Sequence, residues 1–180
     1  MVPRKLFRPL VHDFYFGGNM NKRWQEFYEM NTKLDDKFNS KYESDKKIHE
    51  KNCIETLVEL GEFINETKCF KYWSIKKPNM DNVYEEASDV LQMLLYFYNY
   101  FGISKVSTCK MELTSDLLLE IDLLFRDTSK LLTNGNKSIC KKVYTRFMHV
   151  TRLLNMDEEL LLDACFKKNK INHERLNSEY

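Results

Sequence analysis

The chain has 180 residues, 43% of them hydrophobic and 13% aromatic, with a formal net charge of +1. That length and apolarity support one domain with a real core and exclude a disordered chain, while near-neutral charge gives no global attraction for nucleic acid or an acidic membrane. Glycine (5) and proline (3) are scarce, which argues against a turn-rich β fold, and no apolar run reaches the about 18 residues that read as a membrane span.

Residues 1–20, MVPRKLFRPLVHDFYFGGNM, read as an N-terminal arm or extension: basic and aromatic, with two prolines and a Gly-Gly pair. Asp13 and the bulky aromatics fit a targeting peptide badly, and Met20 is an alternative start. From about 21 to 42, Trp24, Phe27, Tyr28, Met30, Leu34 and Phe38 recur at helical spacing. A second helix spans roughly 44–68, with Ser44 as N-cap and Asp45 in its first turn. The stretch WSIKKPNMDN (73–82) breaks the pattern and predicts a loop. A third helix covers about 82–101 and stops at Gly102. A fourth runs about 111–133 and is closed by Asn-Gly-Asn, a fifth covers about 137–154, and a shorter sixth begins after Asn155. In the fourth, the Leu/Phe stripe of DLLLEIDLLF (116–125) reads as core or dimer interface. The last ten residues, INHERLNSEY, are polar and read as a tail. The expectation is an all-α bundle of about six helices, with the domain over 21–170 and the tail over 171–180.

The five cysteines (Cys53, Cys69, Cys109, Cys140, Cys165) are odd in number, widely spaced and form no CxxC. They predict buried thiols in a reduced, intracellular and cytoplasmic protein. The four histidines are scattered, without HExxH or Glu-x-x-His. That argues against a zinc protease and against a carboxylate–histidine di-iron bundle.

The acidic residues carry more information. In ETLVELGEFINET, Glu55, Glu59, Glu62 and Glu66 recur every three or four residues. At about 100° per residue they fall within an arc of roughly 60°. An acidic stripe opposite Leu57, Val58, Leu60 and Ile64 is also what an ordinary surface helix presents. The third helix is different. Glu86 and Asp89 share a face with Val90, Met93 and Phe97, on a helix apolar nearly all round and therefore buried. Buried carboxylates need basic partners or metal, and no Lys or Arg lies between Lys77 and Lys105. Packed antiparallel, the second and third helices set Glu59 and Glu62 against Glu86 and Asp89. Four carboxylates without histidine form an all-oxygen site suited to Mg²⁺ or Mn²⁺ and to a polyphosphate, with Glu55 and Glu66 at its solvated margin.

This ExxE…ExxD pair resembles the all-α NTP pyrophosphatases (the MazG-like group), and within it the dimeric dUTPases. Phe70, Lys71 and Trp73 stand at the family's distance after ExxE, and EEASDVLQM resembles its ExxD helix. FYEMNTKLDDKF resembles its first helix. KKNKINHERLNSEY resembles its closing motif, with Lys168, Asn169, Asn172, Arg175 and Tyr180 in place. The resemblance runs from about residue 21 to 180. It implies a homodimeric, Mg²⁺-dependent enzyme that hydrolyses dUTP to dUMP and pyrophosphate, and dUDP to dUMP. It implies two or three ions on Glu59, Glu62, Glu86 and Asp89, with Mn²⁺ as a substitute, and Glu59 orienting the attacking water. It implies phosphate contacts from Lys71, Lys168, Arg175 and Tyr180. Trp73 and Asn172 would contact the nucleoside, with Asn31 and Asn169 beside them, and the tail would close over the site.

Three positions depart from the pattern. Asn31 replaces a base-reading glutamine, Leu176 replaces the glutamine after the tail arginine, and Glu179 replaces the glycine before the last tyrosine. The first bears on base discrimination, because groups that read a base edge must reach it. Two alternatives stay open: a pyrophosphatase for dCTP or a broader set of nucleotides, and a catalytically weak helical binding module.

Overall fold

A computed structural model describes residues 18–42 and 47–178. The described chain forms α1 (Gly18–Lys41), α2 (Ile48–Thr67), α3 (Met80–Tyr100), α4 (Leu117–Asn134), α5 (Lys137–Leu153) and α6 (Glu158–Asn177). All regular structure among the described residues is helical. The N-terminal arm before Gly18 and the predicted cap residues Ser44 and Asp45 lie outside them.

Short polar residues start four of the helices. The side chains of Asn79, Asp116, Asn136 and Asp157 accept hydrogen bonds from backbone N–H groups in the first turns of α3, α4, α5 and α6. α3 stops as expected. Gly102 takes a positive φ of 62°, and the Gly102 and Ile103 amides reach back to the carbonyls of Asn99 and Tyr98. Gly135 follows the last residue of α4, where only glycine fits, because a Cβ would run into the Leu131 carbonyl oxygen and meet Phe101 Cζ at 2.8 Å.

Three predicted boundaries differ, and the first is the start of α2, at Ile48 rather than near 44. α4 begins at Leu117, not near 111, because Asp116 caps the Leu119 amide and Glu120 accepts the Thr114 amide, which turns the chain. α6 does not end near 170. It continues to Asn177, so residues 171–177 are its last turns rather than a separate tail. Ile171, Asn172 and Leu176 keep these turns half-buried, which a count of polar residues misses.

The core is aromatic. Trp24, Phe27, Phe63, Phe97, Tyr98, Tyr144 and Phe147 are all fully buried. α3 is covered nearly all round, as its composition predicts, because α1, α2, α5 and α6 all pack on it. α2 turns a narrower face inward: Cys53, Thr56, Leu60, Phe63, Ile64 and Thr67. Val58, expected in the core, is exposed beside Ile54. The stripe on α4 divides: Ile121 and Leu124 are buried, while Leu118 and Leu119 are exposed. Behind it, Arg146 forms a buried ion pair with Glu120 and bonds Asp127 at 3.3 Å. No helix of the described chain is long and apolar enough to cross a membrane.

α2 and α3 form the most extensive helix–helix contact, and they run antiparallel. Asn82 Nδ2 near the start of α3 donates to Glu66 Oε2 at the end of α2 at 3.4 Å. Asn52 near the start of α2 lies beside Tyr96 near the end of α3. α6 packs on α3 and α1, which leaves a cleft between α1, α2, α3 and α6.

Candidate active site

The cleft measures about 670 Å³. Glu55, Glu59 and Glu62 line it from α2, Glu86 and Asp89 from α3, and Lys168, Asn172 and Arg175 from α6. One oxygen from each of Glu59, Glu62 and Glu86 lies within 4.8 Å of the others. The antiparallel packing produces this convergence, since residues three apart on each helix share a face. Glu66 is not in the cleft; it is tied to Asn82. Glu55 is exposed, as expected of a solvated margin, and lines the edge of the cleft.

The ledge is electrostatically strained. Burial first, and then Asp89, Glu62, Glu55 and Glu86, push the Glu59 carboxyl up to about 7. Burial, Asp89 and Glu62 raise Glu86, against a smaller opposing pull from Lys168. Burial also raises Asp89, opposed by its hydrogen bond and charge interaction with Lys168. These are the shifts expected of crowded carboxylates.

The cation missing from α3 comes from α6. Lys168 Nζ lies 2.7 Å from Asp89 Oδ2 and 3.2 Å from Glu85 Oε1. Burial pulls the Lys168 ammonium down, but the contacts with Asp89 and Glu85 hold it above its ordinary value. One lysine thus compensates Asp89, while Glu59, Glu62 and Glu86 face one another. The trio offers only oxygen donors, which fits a hard divalent cation and does not fit zinc.

Beside the ledge, α1, α3 and α6 bring amides together. Asn31 Nδ2 donates to the Gln92 carbonyl at 3.2 Å and to Asp35 Oδ2 at 3.3 Å. Asn172 Nδ2 donates to Gln92 Oε1 at 3.0 Å. Asn169, expected at the nucleoside, is fully buried behind Asn31 and donates to its Oδ1 at 3.5 Å. Its place is behind the wall, not in the lining.

Lys71 and Trp73, expected at the phosphates and nucleoside, are not brought to the cleft. α2 ends with Lys68 in a left-handed conformation, and both residues lie on the loop beyond it. There Lys71 Nζ sits 5.6 Å from the Phe70 ring centroid, and Trp73 is 64% exposed against Phe70 and Tyr72. Chain distance from ExxE does not determine where a loop points. Tyr180 lies outside the described residues.

Sequence reading missed Asp35, Gln92 and Tyr96, all of which line the cleft. The signal was available: Asp35 follows Asn31 by one helical turn, and Gln92 follows Asp89 by three residues.

A helical bundle that gathers carboxylates in a cleft and faces them with cations from its last helix has the form of a nucleotide hydrolase. A family model described as dUTPase matches residues 23–180. The chain belongs to this all-α dUTPase family, and its activity is that of a dUTP diphosphatase. A comparison with curated proteins gives no match.

Proposed function

We propose that this cleft hydrolyses dUTP to dUMP and pyrophosphate, and dUDP to dUMP, with Mg²⁺ held by Glu59, Glu62, Glu86 and Asp89. The observation that carries the reading is the carboxylate trio, with ligand oxygens within 4.8 Å, in a cleft also lined by Lys168 and Arg175. Two or three ions suit this donor set, with Mn²⁺ as a substitute. When bound, they neutralise phosphate charge and make water more acidic. The chain's own groups supply the rest. Glu59 holds and orients the attacking water. Lys168 and Arg175 hold phosphate oxygens by charge-assisted hydrogen bonds. Tyr180 joins them as the chain end closes on the substrate. Asn31 and Asn172 form the base end, with Asn169 supporting Asn31.

Exposed apolar residues on α2 and α4, namely Ile54, Val58, Leu118 and Leu119, support a homodimer. Five free cysteines support a reduced, cytoplasmic setting.

The test is Mg²⁺-dependent pyrophosphate release from dUTP, dCTP, dTTP and UTP, with Glu62→Ala and Glu86→Ala alongside. The reading requires a strong dUTP preference and two inactive variants. Equal turnover of several nucleotides would keep the metal site and remove the specificity. A folded protein that turns nothing over would leave a helical binding module.

A further inference from the structure

Asp35 stands apart from the carboxylate ledge. Glu59 feels the charges of Asp89, Glu62, Glu55 and Glu86, whereas the charge that bears on Asp35 is that of Asp36 on its own helix. Asp35 itself bears on Tyr96, which places it toward the far end of the cleft. From Glu86 to Tyr96 the α3 wall runs ten residues, about 15 Å at the helical rise. That leaves room for phosphates at one end and a base at the other. The far end is also the one with apolar walls, from Phe38, Met93 and Tyr96.

The surroundings of Asp35 determine its form. Among the described residues no lysine or arginine forms an ion pair with it, and its hydrogen-bond partner is an uncharged amide, Asn31 Nδ2 at 3.3 Å on Oδ2. Burial, and then Asp36, push its carboxyl up to about 8. A half-buried carboxyl with no cation beside it holds its proton more tightly than an exposed one, and a neutral carboxyl is a hydrogen-bond donor. Asn31 has no donor left for a ligand, since both Nδ2 hydrogens are engaged by Gln92 and Asp35.

We propose that the neutral carboxyl of Asp35, held by Asn31, donates to a carbonyl on the base edge and so selects uracil over cytosine. Uracil presents a carbonyl where cytosine presents an amino group. A donor facing that amino group leaves two donors unpaired, whereas an ionised Asp35 would accept from it and repel the uracil carbonyl. The inference rests on the dUTPase reading of the same cleft and adds the group that reads the base.

The experiment measures kcat/KM for dUTP and for dCTP from pH 6.5 to 9 at fixed Mg²⁺, for the wild type, Asp35→Asn and Asp35→Ala. Glu55, Glu59, Glu86 and Asp89, with Lys51, Tyr96, Lys168 and Arg175, also line the cleft. The charges of these groups are common to both substrates, so the ratio of the two isolates the base edge. The dUTP/dCTP ratio of the wild type should fall at least about tenfold as pH passes 8. Asp35→Asn, isosteric and still a donor, should keep a preference for dUTP that no longer varies with pH. Asp35→Ala should lose about 10- to 100-fold of the ratio at pH 7. A wild-type ratio that is flat with pH, or an Asp35→Asn ratio that follows the wild-type curve, would overturn the role of Asp35 and leave the dUTPase reading intact. No dUTP turnover by the wild type at any pH would overturn both.

Discussion

Glu86→Gln should make the metal-free protein more stable and its response to Mg²⁺ smaller. Three carboxylate oxygens within 4.8 Å repel one another. At that spacing each pair costs about 0.9 kcal/mol in bulk water and about 3.5 kcal/mol at an effective dielectric of 20. The site is partly open, so the lower figure applies. Neutralising Glu86 removes two of the three pairs, a gain of about 2 kcal/mol. In a domain of this size 1 kcal/mol moves Tm by about 2–4 °C, so the metal-free variant should melt about 4–8 °C higher. Mg²⁺ at about 100 times its Kd stabilises the wild type by about 2.7 kcal/mol, or about 5–11 °C. A 100-fold loss of affinity in the variant leaves about 0.4 kcal/mol of that. Thermal melts at pH 8, with EDTA and then with Mg²⁺, read both quantities. A variant that melts lower without metal, or that gains as much from Mg²⁺ as the wild type does, would refute repulsion within the trio.

Three other outcomes follow from the same structure. Asp35, Glu59, Glu86 and Asp89 all hold their protons more tightly folded than unfolded. Their contribution to stability is therefore full below about pH 4 and is lost as pH rises toward 8, so the metal-free protein should melt lower at pH 8.5 than at pH 7, with Mg²⁺ flattening the slope; a metal-free Tm that rises over this interval would contradict it. Arg146→Ala leaves the fully buried carboxylate of Glu120 without its cation, while Asp127 keeps Lys130 at 2.6 Å, and should cost about 3–5 kcal/mol in urea denaturation, far more than Arg126→Ala, whose pair with Asp122 is exposed. Gly135→Ala forces a Cβ against the Leu131 carbonyl and Phe101, and should cost about 1–3 kcal/mol while leaving the KM for dUTP unchanged in the folded fraction.

The site and the core make opposite demands on α3. Its apolar residues bury it between α1, α2, α5 and α6, and that burial raises Glu86 and Asp89. Lys168 relieves Asp89 because α6 lies alongside α3 and carries the lysine to the carboxylate. A cation placed on α3 itself would have to be buried with them.

Period, caps and acid spacing could be read along the chain, because each depends on residues a few positions apart. The helical class, the order of six helices, the Gly102 stop and the grouping of Glu59 with Glu62 and of Glu86 with Asp89 were therefore legible in sequence. Pairing ExxE with ExxD across two helices was legible too, given antiparallel neighbours. Other features depend on packing between distant segments, which local spacing does not encode. Only the tertiary structure turned Lys168 onto Asp89 from 79 positions away. It sank Asn169 behind Asn31 and brought Asp35 into the cleft. It also carried Lys71 and Trp73 out of the cleft, on a loop whose direction follows from the left-handed turn at Lys68 and not from its distance to the glutamates.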